Sequence, residues 1–210
     1  THAAKAGVIG RLAASNAKVP VILHTFHGHV FHSYFSRLQT NSFIMIERYL
    51  ARKSTGIIAI SESQKNDLAN VYRICAPNKI ETIPLGLDID KFTINPEKKR
   101  ADFRRKFFIE EDEIAIGIIG RIVPVKNHQL FIAAVDRLRK LTYKKLKFLI
   151  VGDGDIRNHI ESECIKRHFD YVYFPEEKRS AEVIFTSWQT QIDQVLDGLD
   201  IVALTSHNEG

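Results

Sequence analysis

Between Gly120 and Asn127 the chain reads Gly-Arg-Ile-Val-Pro-Val-Lys-Asn, directly after the apolar run Ile114 to Ile119. The pattern predicts a strand, a loop and then a helix from about His128, with Arg121 and Lys126 on the loop. A guanidinium presents phosphate oxygens with a planar fork of donors, and an ammonium adds a compact charge. The free N–H groups at the start of the helix point at the same place. Such a loop suits a pyrophosphate and would stabilise the charge on a departing nucleoside diphosphate.

Other clusters invite rival chemistry. His24, His27, His29 and His32 crowd one segment, which suggests zinc, yet no Cys or carboxylate accompanies them and strand alternation sends neighbours to opposite faces. No metal is expected; His24, His29 and His32 are read as structural hydrogen-bonding residues. Asp88-Ile89-Asp90 spells a D-x-D metal motif but follows the break Pro84-Leu85-Gly86-Leu87, so a turn is expected. Gly152-Asp153-Gly154 begins like a dinucleotide fingerprint, but Arg157 stands where the third glycine belongs. Gly152 and Gly154 are therefore assigned to a tight turn near a nucleotide. No P-loop occurs, and Cys75 and Cys164 lack metal-site spacing, which fits a reducing compartment.

Elements that hold these residues follow from periodicity. Short β-branched runs alternate with amphipathic stretches, the pattern of parallel strands joined by helices, so the fold class is α/β. Strands are expected at Val21–His24, Ile57–Ile60, Ile80–Ile83, Ile114–Ile119, Leu146–Val151, Val172–Phe174 and Ile201–Leu204. Helices are expected at about Ala3–Ala14, Ser42–Arg52, after Ser61 or Ser63, His128–Leu141 and Ile156–Arg167. In the helix from His128, Leu130, Ala134, Leu138 and Leu141 are expected to face the sheet. Lys98, Lys99, Arg100, Arg104, Arg105 and Lys106 form a basic helix, read as a solvated face. With 210 residues, 44% hydrophobic and 26% charged, the chain has room for one domain or two. A net charge of +5 favours an anionic partner. Runs such as Leu146–Val151 are far shorter than the roughly 20 residues of a membrane-spanning helix. Interleaved aromatics and motifs for nucleic acid are missing, so no nucleic-acid partner is expected.

In order and spacing, five segments resemble the retaining GT-B glycosyltransferases of family 4 along essentially the whole chain. They are Thr25-Phe26-His27-Gly28-His29, Pro84 to Asp88 with Phe92, Gly120-Arg121 to Lys126-Asn127, Val151-Gly152-Asp153-Gly154, and Thr205-Ser206-His207-Asn208-Glu209-Gly210. The resemblance implies two Rossmann-like parallel-sheet domains facing a cleft, both incomplete. Residues 1–92 would be the second part of an acceptor-side domain, 93–112 a linker and entry helix, and 113–210 the first part of a donor-binding domain. By the same resemblance Arg121 and Lys126 contact the donor diphosphate, with Gly120, Gly152 and Gly154 beside it. Glu209 is implied as the first glutamate of an E-x7-E motif, whose second member would fall beyond Gly210. His27 would face the transferred sugar and His2 the acceptor. Trp188 lies where a loop frames the base, although packing as a core or rim aromatic explains it equally.

The expected reaction moves a sugar, with retention, from a nucleotide-diphosphate donor of the UDP class to a glycan or lipid-linked acceptor. No cofactor or metal is called for. The setting would be cytoplasmic, with peripheral contact at the inner membrane face as an option. A GT-B sugar-nucleotide epimerase and a noncatalytic nucleotide-sugar binding module are the alternatives. Both ends are read as cut, and the 210-residue piece alone is expected to be inactive.

Overall fold

Parallel strands carry both halves of the chain. The computed structural model describes residues 1–28 and 37–207, which divide into two units, Thr1–Leu87 and Asp88–His207.

In the first unit α1 (Ala4–Asn16) leads to β1 (Leu23–Phe26), α2 (Arg37–Lys53), β2 (Gly56–Ala59), α3 (Glu62–Asn66) and β3 (Ile80–Thr82). The sheet order is β1-β2-β3, with Leu23 paired to Gly56 and Ile57 to Ile80. The first strand starts two residues later than the apolar run suggests. Ile22 N–H is diverted to the Thr55 hydroxyl at 2.9 Å, and Val21 is exposed. Ser61 is the N-cap of α3: its hydroxyl accepts from Gln64 N–H, while the Gln64 side chain accepts from Ile60 N–H. Beneath the helices, Arg11 grips both oxygens of Glu47 at 2.7 and 2.8 Å, a buried pair joining α1 to α2.

The second unit adds α4 (Asp90–Thr93), α5 (Pro96–Lys106), β4 (Ile114–Ile119), α6 (His128–Leu138), β5 (Leu146–Val151), α7 (Arg157–Lys166), β6 (Tyr171–Tyr173), β7 (Val183–Ser187), α8 (Ile192–Gly198) and β8 (Ile201–Ala203). All five strands are parallel in the order β6-β7-β5-β4-β8. Strand β7 and helix α8 were not anticipated. Val183, Ile184 and Phe185 are fully buried, so the strand has no polar alternation to betray it. The face of α6 is also corrected: Phe131, Ile132 and Val135 are buried, whereas Leu130 and Leu141 are exposed. Leu138 alone of the four expected residues packs on this core. Asp88-Ile89-Asp90 forms the expected turn, with the Asp88 carboxylate accepting from Asp90 N–H at 3.2 Å.

The basic helix is not simply a solvated face. Pro96 opens α5, and Phe103 and Phe107 enter the core. Lys99 pairs with Asp193 at 2.9 Å; Arg100 and Arg104 both reach Asp200, at 2.7 and 3.2 Å. The helices pack so closely that a Cβ on Gly198 would lie 2.1 Å from the Phe103 ring. No helix among the described residues is long and apolar enough to cross a membrane.

Two histidines are sealed in these cores. His24 is buried on β1, against Gly7, where a Cβ would come within 2.4 Å of its ring. Burial first, then the charge of Arg11, pushes its pKa down to about 3. His128, the first residue of α6, is fully buried and is pushed down to about 4 by burial and then by Lys126.

Two measurements follow from this packing. Gly198→Ala should lower stability by about 1–3 kcal/mol through overpacking against Phe103, read as a reduced urea midpoint at unchanged slope. Both imidazoles are neutral when folded and have lowered pKa values, so their contribution is present above pH 6.5 and is lost as pH falls towards about 4 for His128 and about 3 for His24. Denaturation at pH 7.5 and pH 5 should show a smaller loss for His128→Gln than for the unaltered protein; equal losses would contradict the assignment.

Candidate functional site

Four strand ends of the second unit meet at one edge of its sheet. Gly120 follows β4, and its N–H donates to Val151 O at 2.9 Å. Gly152 follows β5 with φ 134°, and a Cβ there would lie 2.1 Å from Gly120 O. A Cβ on Gly154 would lie 2.4 Å from Ile122 O. The two loops therefore touch backbone to backbone, laced further by Ile122 N–H to Asp153 O at 3.0 Å and Ile156 N–H to Ile122 O at 3.3 Å. Only glycine leaves room for such contact.

This interlock aims the cations. Ile122 is fully buried in the core, so its neighbour Arg121 is turned outward and exposed. Pro124–Lys126 forms a single 3-10 turn, and Asn127, at φ 51°, caps α6 by accepting from Leu130 N–H. The half-buried Lys126 folds back over Gly120, its Cε, Cδ and Cγ lying 3.7–3.9 Å from where a Gly120 Cβ would stand. Lys126 is thus brought to the residue next to Arg121. The loop after β8 holds the same turn: Thr205 Oγ1 lies 3.0 Å from the carbonyls of both Lys126 and Asn127, and His207 N–H donates to Val125 O at 2.9 Å.

Asp153 is a structural hub that sequence reading passed over. Its carboxylate accepts from Gly154 N–H at 2.8 Å, Tyr173 O–H at 3.0 Å and Ser187 O–H at 3.4 Å. The guanidinium of Arg157 approaches it at 3.6 Å and stacks on the Tyr173 ring at 3.8 Å. The ends of β5, β6 and β7 are fastened by this one side chain. A carboxylate between two glycines at a strand end was the available signal. Trp188, next after β7, is 59% exposed, a rim rather than a core aromatic.

The arginines of this unit divide by partner. Arg100, Arg104, Arg105, Arg139, Arg157, Arg167 and Arg179 each pair with a carboxylate. Arg137 lies in the last turn of α6, where a cation offsets the helix dipole. The Arg121 side chain has neither: it makes no hydrogen bond or ion pair with a described residue.

In the first unit His2 and His27 meet, Nδ1 to Nε2 at 2.9 Å, one ring donating and the other accepting. His2 reaches this position through a bridge to Thr25. His24 is turned inward, its Nδ1 3.0 Å from Thr1 Oγ1. Glu209, His29 and His32 lie outside the described residues. Among the described residues no group of three or more His, Cys, Asp or Glu is arranged to hold a metal ion. Cys75 is half-buried and Cys164 buried, both as free thiols, and burial pushes Cys164 up to about 12.

Residues 1–91 match the family described as Glycosyltransferase Family 4, and residues 99–210 the family described as Glycosyl transferases group 1. The chain is 27% identical over 212 residues to the UDP-Gal:alpha-D-GlcNAc-diphosphoundecaprenol alpha-1,3-galactosyltransferase of Escherichia coli, covering 100% of this chain and 52% of that protein. It is 25% identical over 216 residues to the capsular polysaccharide biosynthesis glycosyltransferase CapM of Staphylococcus aureus, covering 98% and 51%. The chain therefore spans about half the length of these relatives. Among solved structures, Anabaena Alr3699/HepE in complex with UDP and glucose superposes with a TM-score of 0.73 at 21% identity, over 97% of this chain and 51% of that one. WaaG, a glycosyltransferase involved in lipopolysaccharide biosynthesis, gives 0.69 at 14%, over 95% and 57%. These likenesses give the fold, α/β with parallel sheets of the GT-B kind. With the second family match covering more than half of its residues, the chain belongs to the Glycosyl transferases group 1 family.

Proposed function

We propose that the protein transfers a sugar, with retention, from a UDP-class nucleotide-diphosphate donor to a glycan or lipid-linked acceptor. The observation that carries this reading is the loop after β4. It presents an exposed, carboxylate-free guanidinium at Arg121 beside the folded-back stem of Lys126, on a backbone pinned by Gly152, Gly154 and Thr205. Cations carried on a fixed backbone, once ordered by the bound donor, stabilise a departing diphosphate where its charge develops. The Escherichia coli relative carries a UDP-sugar and a lipid-diphosphate acceptor in its name, and a structure of the same fold was obtained with UDP and glucose.

In this scheme Arg121 and Lys126 hold the diphosphate, Gly120, Gly152 and Gly154 allow its approach, and Trp188 flanks the base. Glu209 orients the donor, His27 faces the transferred sugar, and His2, hydrogen-bonded to His27, meets the acceptor. Retention follows attack on the face from which the diphosphate leaves, the leaving phosphate taking the acceptor proton. The cations replace a divalent ion, so no metal or cofactor is required. A lipid-linked acceptor would set the reaction at the inner face of the membrane, with peripheral contact by the protein.

Release of nucleotide diphosphate by the full-length protein, screened over nucleotide sugars with and without acceptor, tests the reading. Arg121→Ala should lower kcat/KM by about 100-fold or more with an unchanged unfolding midpoint, and Arg121→Lys should recover only part, since a point charge cannot replace the fork. Activity should survive EDTA. Epimerised donor without transfer would replace the proposal with a GT-B epimerase, and binding without turnover would replace it with a nucleotide-sugar binding module.

A further inference from the structure

His2 and His27 share a contact that the proposed chemistry leaves unexplained. Besides the 2.9 Å approach of His2 Nδ1 to His27 Nε2, their ring centroids lie 5.1 Å apart at a tilt of 34°. Both side chains are exposed, and neither forms an ion pair with a described residue. An imidazole thus stands where a carboxylate more often orients a histidine.

The backbone brings the two rings together. Thr1 and His2 run parallel to β1, with Thr25 N–H donating to Thr1 O at 3.0 Å and His2 bridged to Thr25. His27 directly follows β1. Both rings therefore stand where a parallel strand ends, the edge of such a sheet at which ligands bind. Ala3, between the bridge and α1, is held at φ 59° and ψ 159°, a region that residues other than glycine avoid. Strain of this kind persists only where surrounding contacts impose it. A strand pairing on one side and a forced turn on the other thus set the place of His2.

Chemistry then sets the direction of the hydrogen bond. Of two neutral imidazoles one must donate and the other accept. Donation from His2 Nδ1 would put the proton of both rings on Nδ1, the less stable tautomer of a free histidine side chain. Donation from His27 Nε2 puts both on Nε2, the more stable one. The second arrangement leaves His27 Nδ1 with a lone pair and with no partner among the described residues. A carboxylate in place of His2 would hold the same ring but draw a second proton onto it, whereas a neutral imidazole fixes the tautomer and adds no charge.

We infer that His2 is a positioning residue: it accepts from His27 Nε2–H and so keeps His27 Nδ1 as an acceptor for a hydroxyl of the bound sugar. His27 enters as the residue facing the transferred sugar, a reading on which this role rests, and no diphosphate-binding residue takes part.

Imidazole nitrogen spectra of the full-length protein, carrying isotope-labelled histidine and recorded at a pH that leaves free histidine neutral, read the tautomer, with assignment by His2→Phe and His27→Phe. His27 should show a protonated Nε2 and an unprotonated Nδ1, and should average between tautomers in His2→Phe. His2→Asn should restore the locked spectrum, because its amide oxygen can stand where Nδ1 stood. With UDP-galactose or UDP-glucose as donor, whichever is turned over, His2→Phe should lower kcat by about tenfold or more while the donor KM changes by less than about threefold. His2→Asn should recover most of that loss, and both variants should keep the unfolding midpoint. A proton on His27 Nδ1, a tautomer indifferent to His2→Phe, or an asparagine variant no more active than the phenylalanine one would overturn the inference. Were the transferase reading to fail instead, the unaltered protein would turn over neither donor, and the His27 spectrum would still decide the pairing with His2.

Discussion

The geometry of the candidate site depends on two loops lying against each other with no side chain between them. Gly120 O occupies the space where a Cβ on Gly152 would be, and Ile122 O does the same at Gly154. Contact this close turns the ends of β4 and β5 into one block, and burying Ile122 beneath it leaves Arg121 no direction but outward. Ordering a long cation when a ligand arrives costs side-chain entropy, and a loop already fixed at both ends keeps the backbone out of that cost. Placing Arg121 is in this sense a property of three glycines.

Polar contacts that finish the edge act through position more than through net stabilisation. Burial raises the carboxyl pKa of Asp200, but the N–H of Ala115 and the guanidinium of Arg100 outweigh it and hold the group below the usual range. That anion joins β4, β8 and α5, and so sets the helix against the sheet. Asp153 does the equivalent at the other side of the edge, and Arg11 with Glu47 does it in the first unit. Buried pairs contribute little over an apolar substitute, whereas losing one partner costs about 3–5 kcal/mol, so they penalise every arrangement but one.

What could be read from the sequence follows the same physics. Ile114–Ile119 and Leu146–Val151 appear with the expected bounds because β-branched runs between turn residues have little else to become. The loop from Gly120 was legible as a loop because Gly120 and Pro124 separate the apolar strand from the helix that starts at His128. Strand β7 was hidden by burial on both faces, and the buried face of α6 was misread because Leu130 and Leu141 look like core residues on spacing alone. The basic helix misled in a different way. Its charges predict solvent, but their partners, Asp193 and Asp200, lie far along the chain, and local pattern carries no information about them. Asp153 was passed over for the same reason, since two of its four partners, Tyr173 and Ser187, lie 20 and 34 residues along the chain.

Net charge becomes informative only once these pairings are removed from it. An excess of +5 would be unremarkable if it were spread evenly. Most arginines of the second unit are neutralised by neighbours fixed in the fold, and one in the first unit is buried against Glu47. Among the arginines of the second unit, the one left without a carboxylate or a helix end is Arg121. It sits on a backbone locked by glycines, which suits a ligand of defined shape.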